Sequence, residues 1–549
     1  MNKKILPIGY DDFKKVIDNN AYYVDKTKVI EDLLTNRNEV VLFPRPRRFG
    51  KSLLISTLYY FFDIEKKEEN KYLFNGLNIA KSDYFKDQGE YPVIRIDFKE
   101  LKQDNYTSVF NSYKELIREV YDKKRYLLEI LEEDKKEIFN SFLYKKANDE
   151  EYKKAIYILT EMLYKYYNKK VIILIDEYDV PIQQGYLKGF YDEIVSLIRS
   201  VFSSSLKGNV YAKMSILTGV LRVSKESLFS DVNNIDVYSI VDKAYNEYFG
   251  FTEEETSKLL KYYNLKVTKE VKDMYDGYDF NNTSIYNPWS IINYARRREL
   301  NAYWVNTSGN ELIKDLIRKS NDDIKVVIER LLQGEEIEFI YDDKVTYLDA
   351  SKINSLNTIL NFLFASGYLT MGKTEKNDFG DVINKVKIPN KEIKQVFNKM
   401  LLEEIIDKEN ITLTNVREFN ESILNADKEL AEKCLNKILP GMSFMDSTES
   451  FYHGFVFGLF TSFLNNKYII KSNREAGKGR FDLMIESEDR KKGYIIEFKI
   501  VKEDNIEEVA NKAIEQMKEK EYYEELVLDK VKNIYSFAII FKGKSCIVR

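Results

Sequence analysis

The chain has 549 residues, of which 44% are hydrophobic and 32% are charged, and its formal net charge is −4. This length predicts three or four domains, and the composition excludes a disordered chain. The small net charge provides no basic surface across the whole molecule, so any contact with nucleic acid must use a local patch. The two cysteines, Cys434 and Cys546, are too few for a disulfide framework or a zinc cluster.

The first informative stretch follows a predicted helix that begins after Thr27, its cap, and ends at Leu34. A short apolar run, Val40 to Phe43, predicts a buried strand, and the apolar segment Leu53 to Phe62 has the length of a helix. Between them stands Gly50-Lys51-Ser52, which is the context of a phosphate-binding loop. We expect the helix N-terminus and Lys51 to hold phosphates, and Ser52 to ligate Mg²⁺. A surface turn is the alternative for this stretch taken alone.

The loop departs from the usual pattern, because Arg45 stands where the first glycine is expected. The arginines of the loop are predicted to supply the positive charge that the missing glycine would have organised through backbone N–H groups. The predicted nucleotide-binding loop is Arg45, Arg47, Arg48, Phe49, Gly50, Lys51 and Ser52.

A second stretch, residues 169–177, is a continuous apolar strand that ends in Asp176 and Glu177. Such a run is typical of a parallel strand covered on both faces, and ligands bind beyond the carboxyl ends of such strands. We expect Asp176 to hold Mg²⁺ through water and Glu177 to act as the general base for an attacking water. The alternative is a buried strand that ends in a solvated acidic turn.

Two further core strands are predicted at residues 92–98 and 212–219, and residues 187–207 predict one amphipathic helix. Thr218 is expected between the acidic strand and the phosphate-loop strand, where it could sense a γ-phosphate. Arg222 follows and could neutralise transition-state charge. A helix cap for Thr218 and a surface salt bridge for Arg222 remain the alternatives.

The middle of the chain predicts a helix at residues 353–367, followed by two alternating runs at 368–371 and 382–388. A helix followed by a hairpin resembles a winged helix, which binds DNA in many proteins and serves only for packing in others. The acidic stretch 335–343 favours packing.

The last hundred residues contain two predicted strands joined by a charged turn centred between Asp489 and Arg490. In that hairpin register Asp482 faces Glu497, and Lys499 shares a face with Glu497. Two opposed carboxylates repel each other unless a divalent cation lies between them. Asp482, Glu497 and Lys499 therefore predict an Mg²⁺ site that activates water for attack on a phosphodiester. The alternative is a solvated charged hairpin without a metal. The single histidine, His453, is expected to be a packed helix residue.

Six short motifs lie along the chain's predicted elements: Tyr23-Val-Asp-Lys-Thr27, Arg45-Pro-Arg-Arg-Phe-Gly-Lys-Ser52, Ile175-Asp-Glu-Tyr-Asp179, Thr218-Gly-Val-Leu-Arg-Val-Ser-Lys-Glu-Ser227, Tyr286-Asn-Pro-Trp-Ser290 and Asn473-Arg-Glu475. Together they resemble a known family, the AAA-ATPase-like proteins with a C-terminal PD-(D/E)xK nuclease domain, on the archaeal-ATPase and STAND side of the P-loop ATPases. The similarity covers nearly the whole chain and implies a nucleotide switch joined to a nuclease. It also implies that Arg45 is normal in the loop, that Glu475 is a further metal ligand and that Gln516 is an auxiliary residue. The proline of the nuclease motif is replaced by Phe481.

The expected fold is α/β: a P-loop core with a parallel sheet, a helical lid, a winged-helix-like region and a restriction-endonuclease-like domain. The corresponding boundaries are 1–243, 244–310, 311–397, a helical linker at 398–450, and 451–549. We expect ATP and Mg²⁺ as cofactors and ATP-regulated cleavage of nucleic acid, with DNA favoured, in defence against mobile DNA. A signalling switch with a degenerate nuclease and a nucleic-acid translocase are the alternatives. No apolar run reaches about 18 residues, so we expect a cytoplasmic protein without a membrane span; a homo-oligomer is compatible with the sequence.

Overall fold

The computed structural model describes most of the chain as two compact units. The first unit comprises Met1–Ile313 and Glu338–Glu392, and the second comprises Lys314–Ile337 and Ile393–Arg549. For residues 472–476, 479 and 480 the description covers the backbone alone. The described residues are 3–221, 234–304, 322–342, 356–376, 382–398, 400, 412–439, 452, 456–457, 459–460, 468–476, 479–501 and 505–549.

The first unit is built on a five-stranded sheet in which every described pairing is parallel. The strand order is β2-β3-β4-β1-β5. Every residue of β3 is buried, as its unbroken apolar sequence predicts for a strand covered on both faces. This arrangement confirms the predicted α/β core. The strands are β1 (Val40–Pro44), β2 (Val93–Asp97), β3 (Val171–Asp176), β4 (Ala212–Gly219) and β5 (Ile235–Val237).

Two α-helices beside this sheet, Lys28–Asn36 and Lys51–Phe62, lie where they were predicted, and two other predictions need correction. The predicted helix at 187–207 begins only at Tyr191, because Gly189 adopts a left-handed φ of +82° and ends a preceding helix, Val180–Lys188, that was not predicted. Thr27 precedes its helix but makes no side-chain cap; its hydroxyl donates to Asp25 instead. The helices are Phe13–Asp18, Lys28–Asn36, Lys51–Phe62, Lys67–Lys71, Tyr106–Asp122, Glu133–Leu143, Asp149–Tyr167, Val180–Lys188 and Tyr191–Leu206.

The region predicted as a helical lid contains three helices and a small antiparallel sheet, which the helical prediction missed. The strands β6 (Phe251–Thr252), β7 (Tyr278–Asp279) and β8 (Ser284–Tyr286) have the order β6-β8-β7. They are only two or three residues long, too short for a period-two pattern to show in the sequence. The helices are Glu253–Tyr262, Lys269–Tyr275 and Pro288–Arg297.

The predicted helix and hairpin of the middle region are present. The helix Leu356–Ala365 is followed by Gly367 at φ +84°, and then by the antiparallel pair β10 (Thr370–Lys376) and β11 (Val382–Lys387). A short strand, β9 (Ile337–Phe339), pairs with β11. Residues 391–398 are helical. The winged-helix assignment itself stays a prediction.

The second unit contains a five-stranded mixed sheet of order β12-β13-β14-β15-β16. β14 and β15 are parallel, and the other neighbours are antiparallel. The helix Ile506–Glu519 buries its apolar face in a core with Phe481, Met484 and Ile495. This sheet confirms the predicted C-terminal α/β domain. The strands are β12 (Tyr468–Ala476), β13 (Gly479–Ser487), β14 (Lys492–Ile500), β15 (Asn533–Lys542) and β16 (Ser545–Val548), and the other helices are Asp322–Leu332, Leu413–Leu424, Lys428–Ile438 and Glu524–Leu528.

No helix in the described part of the chain combines the length and apolar character needed to cross a membrane.

Candidate nucleotide and nuclease sites

The phosphate loop, residues 45–52, connects β1 to the helix that begins at Lys51. Gly50 adopts a left-handed φ of +89°, which a glycine tolerates without strain and which turns the chain into the helix. The Lys51 ammonium donates to the carbonyl oxygens of Arg45 at 2.9 Å and Pro46 at 3.0 Å. Burial lowers its pKa, whereas the nearby carboxylate of Glu177 acts in the opposite direction. The lysine is thus a buried cation that would gain a stronger partner in a phosphate.

A cavity of about 630 Å³ opens beside the loop. Its size suits a nucleotide, since ligand pockets commonly measure about 300–1,000 Å³. The Arg48 guanidinium lies 4.5 Å from the centroid of the Trp289 ring, so charge and an aromatic face meet at this cavity. Seven of the predicted loop and acid residues line it: Arg47, Arg48, Phe49, Gly50, Lys51, Ser52 and Glu177.

Sequence reasoning assigned no role to several further residues that line the same cavity. They come from the N-terminal segment and from the lid, far from the loop in sequence. Two of the family motifs quoted above contain some of these residues. The motifs alone did not indicate what chemical role the residues have. Aromatic and basic examples are Tyr10, Tyr22, Tyr23, Lys26, Tyr248 and Trp289.

Arg45 lies differently from the other loop arginines. Its side chain has no exposed surface, and its guanidinium donates to the carbonyl oxygens of Pro44, Tyr238 and Tyr245. The guanidinium carbon also stands 4.6 Å from the centroid of the Phe249 ring. In this structure Arg45 therefore holds β1 to the segment that follows β5, and it does not line the cavity. Its nucleotide role, predicted from charge alone, gains no support from this geometry.

Asp176 and Glu177 stand at the carboxyl end of β3, facing the loop. The Thr218 hydroxyl donates to Asp176 Oδ1, and the sheet order places β4 between β3 and β1, as predicted. Glu177 adopts a left-handed φ of +52°, an uncommon conformation for a residue with a side chain. Burial raises the pKa of Glu177, and Lys51 opposes that shift. A carboxyl group with a raised pKa beside a phosphate-binding lysine is suited to accept a proton from water.

Sequence reasoning named Asp179 only as a substitute general base, in case Glu177 does not act as the base. Asp179 is buried, and its Oδ2 accepts hydrogen bonds from the backbone N–H groups of Val220 and Leu221, both at 3.0 Å. These bonds fix the end of β4 against the acidic turn. Arg222, the predicted transition-state arginine, lies outside the described residues, as does His453.

The C-terminal hairpin has the predicted register. β13 and β14 pair Leu483 with Ile496 and Met484 with Ile495, which places Asp482 opposite Glu497. Asp482 Oδ2 also accepts a hydrogen bond of 2.7 Å from the backbone N–H of Phe498. The two carboxylates therefore lie at one position of the sheet although fifteen residues separate them in sequence.

Lys499 and Gln516 both reach Glu497. The Lys499 ammonium and the Gln516 amide nitrogen each lie 3.0 Å from Glu497 Oε1. The same amide nitrogen donates to the hydroxyl of Tyr522 at 3.1 Å, and Tyr522 is fully buried. Glu497 has 2% of its surface exposed, so its carboxylate is shielded from solvent, whereas Asp482, Lys499 and Gln516 are partly buried. Tyr522 is a further residue that sequence spacing did not identify.

The donor set fits Mg²⁺, which binds one or two carboxylates and keeps several waters. Asp482 and Glu497 supply two carboxylates in one place. Within the described residues no group of three His, Cys, Asp or Glu side chains forms a larger metal cage. Glu475 lies on β12, opposite Arg480 of β13, but the description of its strand there is limited to the backbone. Its ligand role stays a prediction.

Comparison with known proteins assigns a class to each region. Residues 7–229 match the family described as predicted AAA-ATPase, and residues 447–549 match the PD-(D/E)XK nuclease superfamily. The chain thus carries an AAA-ATPase-like domain and a C-terminal PD-(D/E)XK nuclease superfamily domain, as the motifs predicted.

One relative is similar over almost the whole length. The "uncharacterized protein in vnfD 5'region" of Azotobacter chroococcum mcd 1 is 25% identical over 529 residues, which cover 95% of this chain and 93% of that protein. Among solved structures, Drosophila ORC bound to AT-rich DNA and Cdc6 contains a chain that is 9% identical. That match covers 70% of this chain and 91% of that chain with a TM-score of 0.18, too low to establish a shared fold.

Proposed function

We propose that the first unit binds and hydrolyses ATP and thereby regulates an Mg²⁺-dependent nuclease in the C-terminal domain. Two findings support the proposal. The phosphate loop and Glu177 line one nucleotide-sized cavity, and the hairpin brings Asp482 and Glu497 together. The second finding carries the nuclease part, because carboxylates directly opposite each other on a sheet repel unless a cation lies between them.

In the first unit each residue has a distinct task. Lys51 exchanges its two loop carbonyls for phosphate oxygens, and the N–H groups at the start of its helix complete the phosphate site. Asp176 and Ser52 would hold Mg²⁺, which would supply charge neutralisation at the phosphates. Glu177 accepts the proton of the attacking water, which its raised pKa favours. Thr218 orients Asp176 through its hydroxyl hydrogen bond.

In the C-terminal domain Asp482 and Glu497 would hold Mg²⁺, which would supply an activated water and stabilise charge on the phosphate. Lys499 lies beside Glu497 and orients the water or neutralises charge. Gln516 fixes the Glu497 carboxylate through its amide nitrogen. DNA is the favoured substrate, and defence against mobile DNA in the cytoplasm is the biological setting we infer.

The direct test incubates the purified chain with plasmid, linear DNA and RNA, each with and without Mg²⁺ and ATP. We expect Mg²⁺-dependent cleavage of at least one DNA substrate, lost in Asp482→Ala. ATP hydrolysis is followed in the same samples, and Glu177→Gln should retain ATP binding but lose turnover.

Two outcomes would contradict the proposal. Nucleotide binding without cleavage of any substrate would favour a signalling switch with a degenerate nuclease. Processive ATP turnover stimulated by DNA, again without cleavage, would favour a translocase. Turnover by Glu177→Gln at the wild-type rate would transfer the general-base role to another group.

A further inference from the structure

Glu392 is a buried carboxyl group that neither proposed reaction uses. Its side chain has no exposed surface, although glutamate is almost never fully buried unless it is paired. Three donors from the lid converge on it. The Ser290 hydroxyl lies 2.7 Å from Oε2 and 3.0 Å from Oε1, and the backbone N–H of Trp304 donates to Oε1 at 2.9 Å. The backbone N–H of Tyr303 is the third donor, and burial raises the pKa of Glu392 to about 7.

Trp304 connects this carboxyl group to the phosphate loop. Its backbone is held by Glu392, and its indole N–H donates to the carbonyl oxygen of Arg47 at 3.3 Å. The side chain is 2% exposed, and its ring lies 4.9 Å from the Tyr368 ring in a T-shaped arrangement. Trp304 is therefore held at its backbone N–H, at its indole N–H and on one face of its ring.

Three successive carbonyl groups at the start of the loop have different donors. Lys51 binds those of Arg45 and Pro46, whereas Trp304 binds that of Arg47. When Lys51 turns towards a phosphate, the first two carbonyls lose their donor. The third keeps its donor, so Trp304 holds the loop in place while the lysine changes partners.

A second contact supports the same side of the loop. Gly367 has a φ of +84°, and a Cβ added there would lie 2.7 Å from Cβ of Pro46. The backbone at Gly367 thus rests directly on the loop. Tyr368, the next residue, is the one that contacts Trp304. The loop is supported from outside the nucleotide cavity by two neighbouring contacts.

We propose that Glu392 is a positioning residue for nucleotide binding, which acts on the phosphate loop through Trp304. The inference rests on the proposed nucleotide site. According to this inference Glu392 contributes measurably to ATP affinity, although it lies about 340 positions from the loop in sequence. Its effect is on binding, because the acids of the hydrolytic step lie on β3 and have no contact with Glu392 in the described hydrogen bonds.

The test uses two variants that keep the size of each side chain. Glu392→Gln replaces one acceptor oxygen by an NH₂ group, which turns a donor towards the N–H and hydroxyl donors that converge there. Trp304→Phe keeps an aromatic ring against Tyr368 but removes the indole N–H. Glu270→Gln, an exposed acid of the lid, is the matched control for the loss of one negative charge. ATP and ADP affinities are measured by calorimetry, KM and kcat by ATP turnover, and melting temperatures by calorimetry.

We expect Glu392→Gln and Trp304→Phe each to weaken ATP affinity and raise KM by about fivefold, the equivalent of one hydrogen bond, with kcat within about twofold of wild type. The ATP affinity of the double variant should equal that of the single variant with the lower affinity. Both substitutions break the same connection, which runs from Glu392 through Trp304 to the loop. Glu270→Gln should bind as wild type does.

The inference is wrong if Glu392→Gln lowers the melting temperature while ATP affinity and KM stay at wild-type values, since the carboxyl group would then be only a part of the core. It is also wrong if the fold-loss of ATP affinity in the double variant equals the product of the fold-losses in the two single variants. If Glu392→Gln does not fold, Trp304→Phe alone tests the inference. An ATP affinity of Trp304→Phe equal to that of the wild type would then overturn it. Absence of nucleotide binding by the wild-type chain would instead overturn the proposed ATPase function itself.

Discussion

At the scale of single residues, Lys51 is the side chain whose change of partners matters most for the proposed nucleotide site. Lys51→Ala should weaken ATP affinity by about 10- to 100-fold, because a hydrogen bond to a charged group contributes about 1.5–3 kcal/mol. Calorimetric titration with ATP measures the effect. Lys170→Ala removes an exposed lysine from the same unit and should leave the affinity unchanged. Equal ATP affinity in Lys51→Ala and wild type would remove the phosphate-loop assignment.

Asp63 offers a residue-scale prediction about pH. It has no exposed surface, and burial, together with the charge of Glu65, raises its pKa from 3.8 to about 6. The folded protein therefore binds more protons than the unfolded chain between these values, so stability falls as pH rises from about 4 to 6. At pH 8 the buried carboxylate costs about 2–3 kcal/mol.

Asp63→Asn should remove that cost. We expect a higher melting temperature at pH 8, by the equivalent of about 2 kcal/mol, and no gain at pH 4, where the aspartate is already protonated. Calorimetry at the two pH values measures the difference. The amide can still accept the backbone hydrogen bond that Asp63 takes from Glu65. An equal shift at both pH values, or a shift in the exposed control Asp83→Asn, would show that titration of Asp63 is not the cause.

At the scale of secondary-structure elements, the C-terminal hairpin is held by a register that leaves two carboxylates opposed. Mg²⁺ should therefore stabilise this hairpin: at a concentration 100 times its dissociation constant, a bound ion contributes about 2.7 kcal/mol. We expect the melting temperature of the wild type to rise with Mg²⁺ and that of Asp482→Asn not to change. Glu488→Gln, an exposed acid at the tip of the same hairpin, should behave as wild type. A similar Mg²⁺ shift in all three proteins would place the ion elsewhere.

Elements that are determined by their own local sequence could be predicted, whereas elements that are determined by tertiary contacts could not. β3 was predictable because a strand buried on both faces needs an unbroken apolar run, and the hairpin register followed from the position of its turn. The helix Val180–Lys188, which ends at Gly189, was missed because Pro181 and Gly185 interrupt its sequence pattern. The two- and three-residue strands of the lid are set by tertiary pairing and leave no periodic pattern.

The sites divide in the same way. Lys51, Glu177 and Glu497 lie in short motifs whose chemistry can be read from spacing. Glu392 and Trp304 interact across 88 residues, a pairing that no local pattern indicates. Arg45 is the opposite case: its charge suggested a phosphate ligand, whereas in the structure its guanidinium donates to backbone carbonyl oxygens.

At the scale of the whole molecule, the question is whether the nucleotide site affects the nuclease domain. A ligand shifts a distant site only if it binds two states of the protein with different affinity. The first unit ends at Glu392, the residue that holds Trp304 against the phosphate loop, and the chain continues directly into the second unit at Ile393. Within the first unit, two hydrogen bonds made by Trp304 thus connect the phosphate loop to Glu392.

We accordingly predict that ATP binding gates cleavage and that hydrolysis resets it. The test compares nucleic-acid cleavage by the wild type, Lys51→Ala and Glu177→Gln at equal Mg²⁺, with and without ATP. Lys51→Ala has lost most of its affinity for ATP, whereas Glu177→Gln stays bound to it, so the two variants represent the two nucleotide states. Gating predicts cleavage rates that differ by about fivefold or more between them, because typical coupling free energies are 1–3 kcal/mol. If all three proteins cleave at the same rate with and without ATP, the two domains are tethered but not coupled.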